Sequence, residues 1–192
     1  MDTFIGEVIL TSTTEFVGQC RRNGQPPAHG AFIRVGREKR CVGVVYNVET
    51  TSIDPNRRPM ALEIPEEEIP KAYPQLAGLL RSQFHAVAVG EYDRNAFRFG
   101  LPETPPALHA RIELCDESEI REIGRDYGFL RLLYNSGKPS PEELLLSACR
   151  KIIDAHGGKR EEAVRLGKAI SELFRDEYDT LRRLLARLES WL

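Results

Sequence analysis

Two Gly-Lys dipeptides come closest to a nucleotide-binding motif in this sequence. A P-loop needs G-x-x-x-x-G-K-[ST], because its backbone N–H groups surround the phosphates and its lysine reaches them. Gly137-Lys138 is followed by Pro139, Gly158-Lys159 is followed by an arginine, and neither dipeptide has the earlier glycine. Both dipeptides therefore fail the motif, and we interpret their glycines as residues that end helices.

Other residues with chemical potential are scattered. The sequence contains no G-x-G-x-x-G, H-E-x-x-H, G-x-S-x-G or C-x-x-C spacing, which dinucleotide, zinc, serine-hydrolase and redox sites use. We therefore predict a protein that is not an enzyme, with no catalytic, cofactor-binding or metal-binding residues and no cofactor. One alternative stays open: a pocket that gathers His29, His85 or His109 with carboxylates would indicate a site assembled from distant residues.

Arginine pairs are candidates for binding. Arg21-Arg22 and Arg57-Arg58 lie in or beside loops between predicted strands, and loops at one end of a barrel converge, as on oligonucleotide-binding barrels. Adjacent guanidinium groups suit phosphate or carboxylate ligands. These four arginines are our candidate contacts to nucleic acid or a protein partner. The alternative is that they are separate, solvated side chains.

A heptad-like repeat near the C-terminus is a second candidate surface. Its apolar side chains alternate spacings of four and three, as in a coiled-coil seam. The repeat consists of Phe174, Tyr178, Leu181, Leu185, Leu188 and Leu192. Two interpretations remain open: the helix packs within its own bundle, or it forms a seam between copies of the chain.

Short strands must position the barrel loops. Strand patterns cover residues 4–11, 15–20, 31–35, 41–49, 84–92, 96–100 and 109–115. On the first strand Phe4, Gly6, Val8 and Leu10 are expected to share one face, with Glu7 on the other. The fourth run is nearly all apolar, which is typical of a strand covered on both faces. Short strands with frequent turn signals predict a closed barrel or a sandwich.

Helical patterns complete the expected architecture. Residues 66–81 predict short helical pieces broken by prolines, and Asp116 and Ser140 each begin a predicted capping box. Residues 159–192 predict one long helix or two abutting ones. The fold class is therefore α+β. A small N-terminal β-barrel domain (1–115, with a helical insertion at about 66–81) precedes a C-terminal α-helical domain (116–192).

Composition limits the setting of the protein. Its 192 residues include 27 basic and 29 acidic side chains, whereas a general nucleic-acid binder normally carries a clear positive excess. The sequence shows no signal-peptide pattern and no apolar run long enough to cross a bilayer. Its four separated cysteines are expected to be free thiols. We therefore expect a cytoplasmic protein without membrane contact.

The strand half resembles a known family. Ile5-Gly6-Glu7-Val8, residues 30–35 and residues 42–48 are similar to the HAS-barrel family, the N-terminal β-barrel of HerA-type DNA-translocating ATPases and of ATP synthase subunits. The resemblance is good through the fourth strand and loose up to Cys115. It implies barrels that assemble with one another and dock partners. No P-loop follows the barrel here, so the resemblance carries over neither ATP hydrolysis nor translocation.

Two functional hypotheses follow. The first is a non-catalytic assembly or adaptor protein, whose barrel mediates oligomerisation or docking to a protein partner such as a ring ATPase. The alternative is a nucleic-acid-binding accessory of DNA repair or processing that uses the arginines of the barrel loops. Phosphate contacts predict an affinity that falls steeply with salt, so salt dependence distinguishes the two hypotheses.

Overall fold

Seven β-strands lie in the part of the chain where the sequence predicts them. The computed structural model describes residues 3–21, 24–37, 40–54, 56, 60–93 and 96–190. Within these residues the strands are β1 (Phe4–Thr11), β2 (Glu15–Cys20), β3 (Phe32–Val35), β4 (Arg40–Ser52), β5 (Leu80–Asp93), β6 (Ala96–Phe99) and β7 (Arg111–Leu114). Each strand overlaps one predicted run, and β4 and β5 are longer than predicted.

Six of the strands close into an antiparallel barrel. Around the ring the order is β1-β2-β5-β4-β3-β7, with β2 paired to β5 and β7 paired to both β1 and β3. The remaining strand, β6, forms a hairpin with the end of β5 outside the ring. The predicted closed barrel is therefore confirmed, and closure removes most of the free edges that an open sheet would expose.

Alternating side chains fill the barrel. Phe16 of β2, Ile33 and Val35 of β3, and Ile112 of β7 are buried together inside it, as a period of two residues requires. Gly43 of β4 leaves room for Phe16, because a Cβ atom at this glycine would lie 2.7 Å from the phenyl ring. The interior is a packed apolar core.

The prediction for one face of β1 is wrong. Leu10 is 55% exposed instead of sharing the buried face of Val8, and Ile5 joins Val8 in the interior. The pairing of β1 shifts register between Phe4 and Gly6 against β7, and again beyond Val8 against β2. Such bulges insert an extra residue and exchange the faces beyond them, which the alternation of one strand does not reveal.

Helices form the insertion and the C-terminal part. A 3₁₀ turn (Glu66–Glu68), α1 (Ile69–Ala72) and α2 (Leu76–Leu79) confirm the short pieces predicted before β5. After the barrel come α3 (Glu117–Ile123), α4 (Phe129–Tyr134), α5 (Pro141–Ala155), α6 (Arg160–Leu173) and α7 (Tyr178–Glu189). Of the two options for residues 159–192, the structure has two abutting helices.

The two predicted capping boxes have different outcomes. Asp116 accepts a hydrogen bond from the Glu119 amide at 2.9 Å, and the Glu119 side chain accepts one from the Asp116 amide, so this box is confirmed. The box at Ser140 is wrong, because Ser140 has a φ of 54° and its side chain makes no cap hydrogen bond. Its expected partner, Glu143, instead forms an ion pair with Arg187 of α7.

The helices pack on the outside of the barrel. Val42 and Val44 of β4 and Phe32 of β3 belong to one buried cluster with side chains from α3 to α7. The rings of Phe32 and Phe129 meet edge to face, with 5.8 Å between their centroids. The prediction that β4 is covered on both faces is therefore confirmed, because one face lines the barrel interior and the other meets the helices.

Candidate anion-binding cleft at the end of the barrel

β2 and β5 separate at one end of the barrel. Their pairing ends at Gln19 and Gln83, whereas β5 extends to Leu80 with only β4 as its partner. The chain turns after β2, where the Gly24 amide donates a 2.8 Å hydrogen bond to the Arg21 carbonyl. The described residues between 50 and 82 lie beyond the last β2–β5 pair, and we call them the arm.

A cleft with a volume of about 560 Å³ lies where the two strands separate. Its described walls come from residues 19–21, Gly24, Thr50, Ile53, Gly78 and residues 80–82. Arg21 and Arg81 are the charged side chains of this described lining, which includes no carboxylate and no aromatic ring. Ile53 and Leu80 add apolar surface. The cleft is therefore cationic and partly apolar.

Arg81 has an unsatisfied donor. Its Nε atom is buried and has no hydrogen-bond partner among the described residues, and such a group costs about 1–3 kcal/mol. The planar guanidinium group suits carboxylate or phosphate oxygens because it offers several N–H donors in a fixed fork. Arg81 is therefore the residue of the cleft best prepared to bind an anion.

Of the four arginines predicted from the sequence, one is described by the structure. Arg21 lines this cleft, whereas Arg22, Arg57 and Arg58 lie outside the described residues. Arg81 was missed by the sequence reasoning, since it belongs to no basic cluster and ends the run 66–81 that was predicted helical, whereas the structure places it in β5. The pairing of β5 with β2, which ends at Gln19 and Gln83, brings Arg81 beside the end of β2.

Arg40 and Arg183 have structural roles. Arg40 binds Glu119 of α3 at 3.0 Å, and Arg183 of α7 binds Glu142 of α5 at 2.6 Å. The guanidinium group of Arg183 therefore fastens one helix to another. Such paired arginines have their charge neutralised within the chain, whereas the Nε atom of Arg81 has no partner in the part of the chain that the structure describes.

The polar groups of the cleft suit binding. The hydroxyl groups of Thr50 and Ser82 are 2.7 Å apart across the arm, and they add donors and acceptors beside the arginines. Partial burial raises the pKa of the Cys20 thiol, so this thiol stays protonated near neutral pH and is a weak nucleophile. The described lining thus favours holding an anionic group over attacking one.

The C-terminal repeat lies mostly within the chain's own core. Phe174 and Leu188 are buried there, and Leu181 and Leu185 pack against the same cluster. Tyr178 is 73% exposed. Leu192 lies outside the described residues. The structure thus favours packing within the bundle, since buried side chains are not available to a second copy.

The histidines are held by separate partners. His85 lies 3.4 Å from Glu49, His109 lies 3.7 Å from Glu7, and His29 lies 3.1 Å from the Ser147 hydroxyl. None of them lines the cleft. Across the described ranges, no group of three or more His, Cys, Asp or Glu side chains is placed to hold a metal ion. The described contacts therefore give the alternative of a distant-residue active site no support.

Lys138, from the failed P-loop motif, has a structural role. Its ammonium group binds Glu15 of β2, which also accepts a 2.8 Å hydrogen bond from the Tyr46 hydroxyl. The hydrogen bond that Lys138 donates to Glu15 is the main reason that the pKa of Glu15 lies below its ordinary value. The loop between α4 and α5 is thereby fastened to the barrel.

Comparison with known proteins leaves the family open. No protein-family model matches this chain, and no curated protein matches it. The resemblance to the HAS-barrel family stays a prediction based on the residue patterns of β1, β3 and β4. For the part of the chain that the structure describes, no helix is both long and apolar enough to span a membrane.

Proposed function

We propose that this chain is a non-catalytic adaptor that docks a protein partner through the arm end of its barrel. The observation that carries the proposal is a group of exposed apolar side chains on the arm, where a folded monomer would normally place few together. These side chains are Ile53, Met60, Tyr73, Leu79 and Leu80. Ile53 and Leu80 also line the cationic cleft, so the arm combines apolar and charged contacts as interfaces do.

The rest of the barrel supports this choice of surface. Helices cover the outer faces of β3, β4 and part of β5, which leaves the arm end as the exposed part of the longest strand pair. The resemblance to HAS barrels favours a ring ATPase or another barrel as the partner. If the partner is a second copy of this chain, the same end of the barrel mediates oligomerisation.

Substitutions on the arm test the adaptor proposal. A Met60→Ser, Leu79→Ser double variant should stay as stable as wild type, because both side chains are largely exposed, and should lose its partner. The matched control is Leu108→Ser, since Leu108 is also exposed but lies outside the arm. Tagged full-length chains are recovered from their native cells, and the co-purified protein is then tested by direct binding to each purified variant.

The outcomes are distinct. A partner, or self-association in sedimentation velocity, that depends on the arm and survives Leu108→Ser supports the adaptor. Equal binding by wild type and the arm variant would place the interface elsewhere. A strict monomer with no recovered partner would refute the adaptor function.

A nucleic-acid-binding accessory of DNA repair or processing is the second candidate. It is favoured by Arg21 and Arg81 in one cleft without a described carboxylate. The absence of an aromatic ring from the described lining counts against it, because single-strand binders stack bases on aromatic side chains. Labelled single- and double-stranded DNA should bind at low salt with an affinity that drops as salt rises. Failure of both at low salt would eliminate this candidate.

The state of the cysteines supports a cytoplasmic setting for the adaptor. All four are free thiols, and Cys41, Cys115 and Cys149 are buried. Burial raises the pKa of Cys41 and Cys149 to about 12, so these thiols are unreactive. Free thiols are the usual state in a reducing compartment.

A further inference from the structure

The cleft lies along an edge of β5 that has no strand partner among the described residues. Successive side chains of a strand point to opposite faces, yet Leu80, Arg81 and Ser82 all line the cleft. It must therefore lie at the edge of β5 rather than on one face. This is the edge that β2 occupies up to Gln19 and then vacates, as the described strand pairs show.

A free edge of this kind binds extended peptide. An added strand gains main-chain hydrogen bonds from the exposed edge, and its alternate side chains are read by pockets on either side. The vacated position continues the line of β2, so a peptide lying there would extend the antiparallel ladder of the barrel along β5. Its backbone would lie between the turn at Arg21 and the start of β5.

The charge of the cleft selects the peptide. Arg21 and Arg81 flank the edge, the buried Nε of Arg81 lacks a partner among the described residues, and the described lining includes no carboxylate. Ile53 and Leu80 offer apolar contacts beside them. An acidic side chain would pair with the guanidinium group of Arg81 where it lines the cleft, whereas a basic one would be repelled. An aromatic platform for nucleic-acid bases is absent from the described lining.

We propose that this cleft binds an extended, acidic segment of the partner protein by β-strand addition to β5, with Arg81 and Arg21 pairing its carboxylates. This inference rests on the proposed adaptor function and names the chemistry of the segment recognised. The segment alternates acidic and apolar residues, because a strand presents them to opposite sides. Arg81 anchors one carboxylate and Arg21 guides the segment at the rim.

A labelled peptide tests the proposal directly. The probe is a fluorescein-labelled hexapeptide that alternates Glu and Val, with blocked ends, titrated with full-length protein in fluorescence anisotropy. Two control peptides isolate the two parts of the proposal. One replaces every Glu by Gln and removes the charge. The other keeps the charge but carries N-methyl groups on alternate amides, which removes strand hydrogen bonds. Both should bind at least about tenfold more weakly, as expected for losing charge-assisted or ladder hydrogen bonds.

Protein variants locate the binding site. Arg81→Gln and, as a second variant at the more exposed rim, Arg21→Gln should each weaken the acidic peptide about tenfold or more. Arg182→Gln is the matched control, because Arg182 is an exposed arginine of α7 far along the chain from the cleft. It removes the same charge and should bind as wild type does. Thermal melts show that each variant is folded.

Each remaining outcome overturns the inference. These outcomes are unchanged binding in both Arg81→Gln and Arg21→Gln, equal affinity for the Glu and Gln peptides, or Arg81-dependent binding of labelled oligothymidylate in preference to the peptide. Such a failure leaves the adaptor intact if partner capture still depends on Met60 and Leu79. Loss of both peptide binding and arm-dependent capture would refute the two proposals together.

Discussion

Single polar residues decide how tightly the helices are joined. Glu162 of α6 is only 3% exposed, and its carboxylate accepts hydrogen bonds from the Tyr127 hydroxyl and from Arg165, the latter at 2.8 Å. Burial, followed by this hydrogen bond, raises the pKa of Tyr127. A buried carboxylate is tolerated only when such donors satisfy it. Glu162 is thus a polar link within an otherwise apolar core.

Replacing Glu162 should destabilise the helices according to the hydrogen bonds lost. Glu162→Ala should cost about 2 kcal/mol of unfolding free energy, because Tyr127 loses its acceptor in a half-buried site. Glu162→Gln should cost less, since its amide oxygen still accepts. The neighbouring, exposed Glu161→Gln is the control and should change stability by less than about 0.5 kcal/mol. Urea unfolding measures all three, and equal losses for Ala and Gln would contradict this assignment.

Glu15 should make stability depend on pH in the acid range. Lys138 lowers its folded pKa below the ordinary value of 4.5, so its stabilising contribution is complete above that value and is lost as pH falls through the folded pKa. The difference in unfolding free energy between wild type and Glu15→Gln should therefore shrink as pH decreases below about 4.5. Urea unfolding over a pH series measures it.

A partner variant identifies the cause of this pH dependence. Lys138→Met removes the group chiefly responsible for the lowered pKa of Glu15. In that background the effect of Glu15→Gln on the unfolding free energy should vary much less with pH. An effect that stays constant over pH in the wild-type background would show that the ion pair is not the source.

At the scale of elements, α7 is held by two kinds of contact. Its arginines reach α5, with Arg183 at Glu142 and Arg187 at Glu143, while Leu184 is fully buried. Exposed ion pairs contribute about 0–1 kcal/mol, whereas truncating a buried leucine costs about 2–5 kcal/mol. Apolar packing therefore dominates the attachment of this helix.

Two substitutions should separate these contributions. Arg187→Ala should lower the unfolding free energy by less than about 1 kcal/mol and lose its effect in high salt. Leu184→Ala should lower it by about 3 kcal/mol with little dependence on salt. Denaturant unfolding at low and high salt provides the measurement. A larger loss for Arg187→Ala would reverse the order proposed for α7.

At the scale of the whole molecule, the barrel and the helices share one core. Val44 and Val89 on the barrel exterior are buried with Leu133 and Leu145 of the helices. Gly30 brings the two parts close, since a Cβ atom there would overlap Ser147 of α5. The exterior valines would be exposed without the helices, so each part stabilises the other.

This shared core predicts a single cooperative unfolding transition. Leu145→Ala on α5 should lower the unfolding midpoint of the helices and that of the barrel strands equally. The reason is that the cavity left by the substitution lies in the core that both parts share. Circular dichroism reports the helices, and hydrogen exchange read by mass spectrometry reports peptides of β3 and β4. Barrel strands that stay protected after the helices unfold would show two independent units.

The arrangement of elements followed from local patterns, because alternation, helix caps and turn residues act over a few neighbours. Residues 31–35 and 41–49 predicted strands that the structure shows, with β4 covered on both faces, and Asp116 predicted the start of α3. The barrel could be predicted because a sheet of many short strands exposes free edges unless it closes on itself. The closed barrel with C-terminal helices was therefore accessible from the sequence.

Tertiary structure decided the features that depend on residues distant in sequence. The bulge that exposes Leu10 is set by the partners of β1, and the ion pair of Glu143 with α7 replaces the cap expected at Ser140. Four side chains of the terminal repeat, Phe174, Leu181, Leu185 and Leu188, joined the core because the helices fold back on the barrel. Arg81 became a site residue because β2 leaves β5 before Leu80. No local pattern contains these contacts, since each joins segments that only the folded chain brings together.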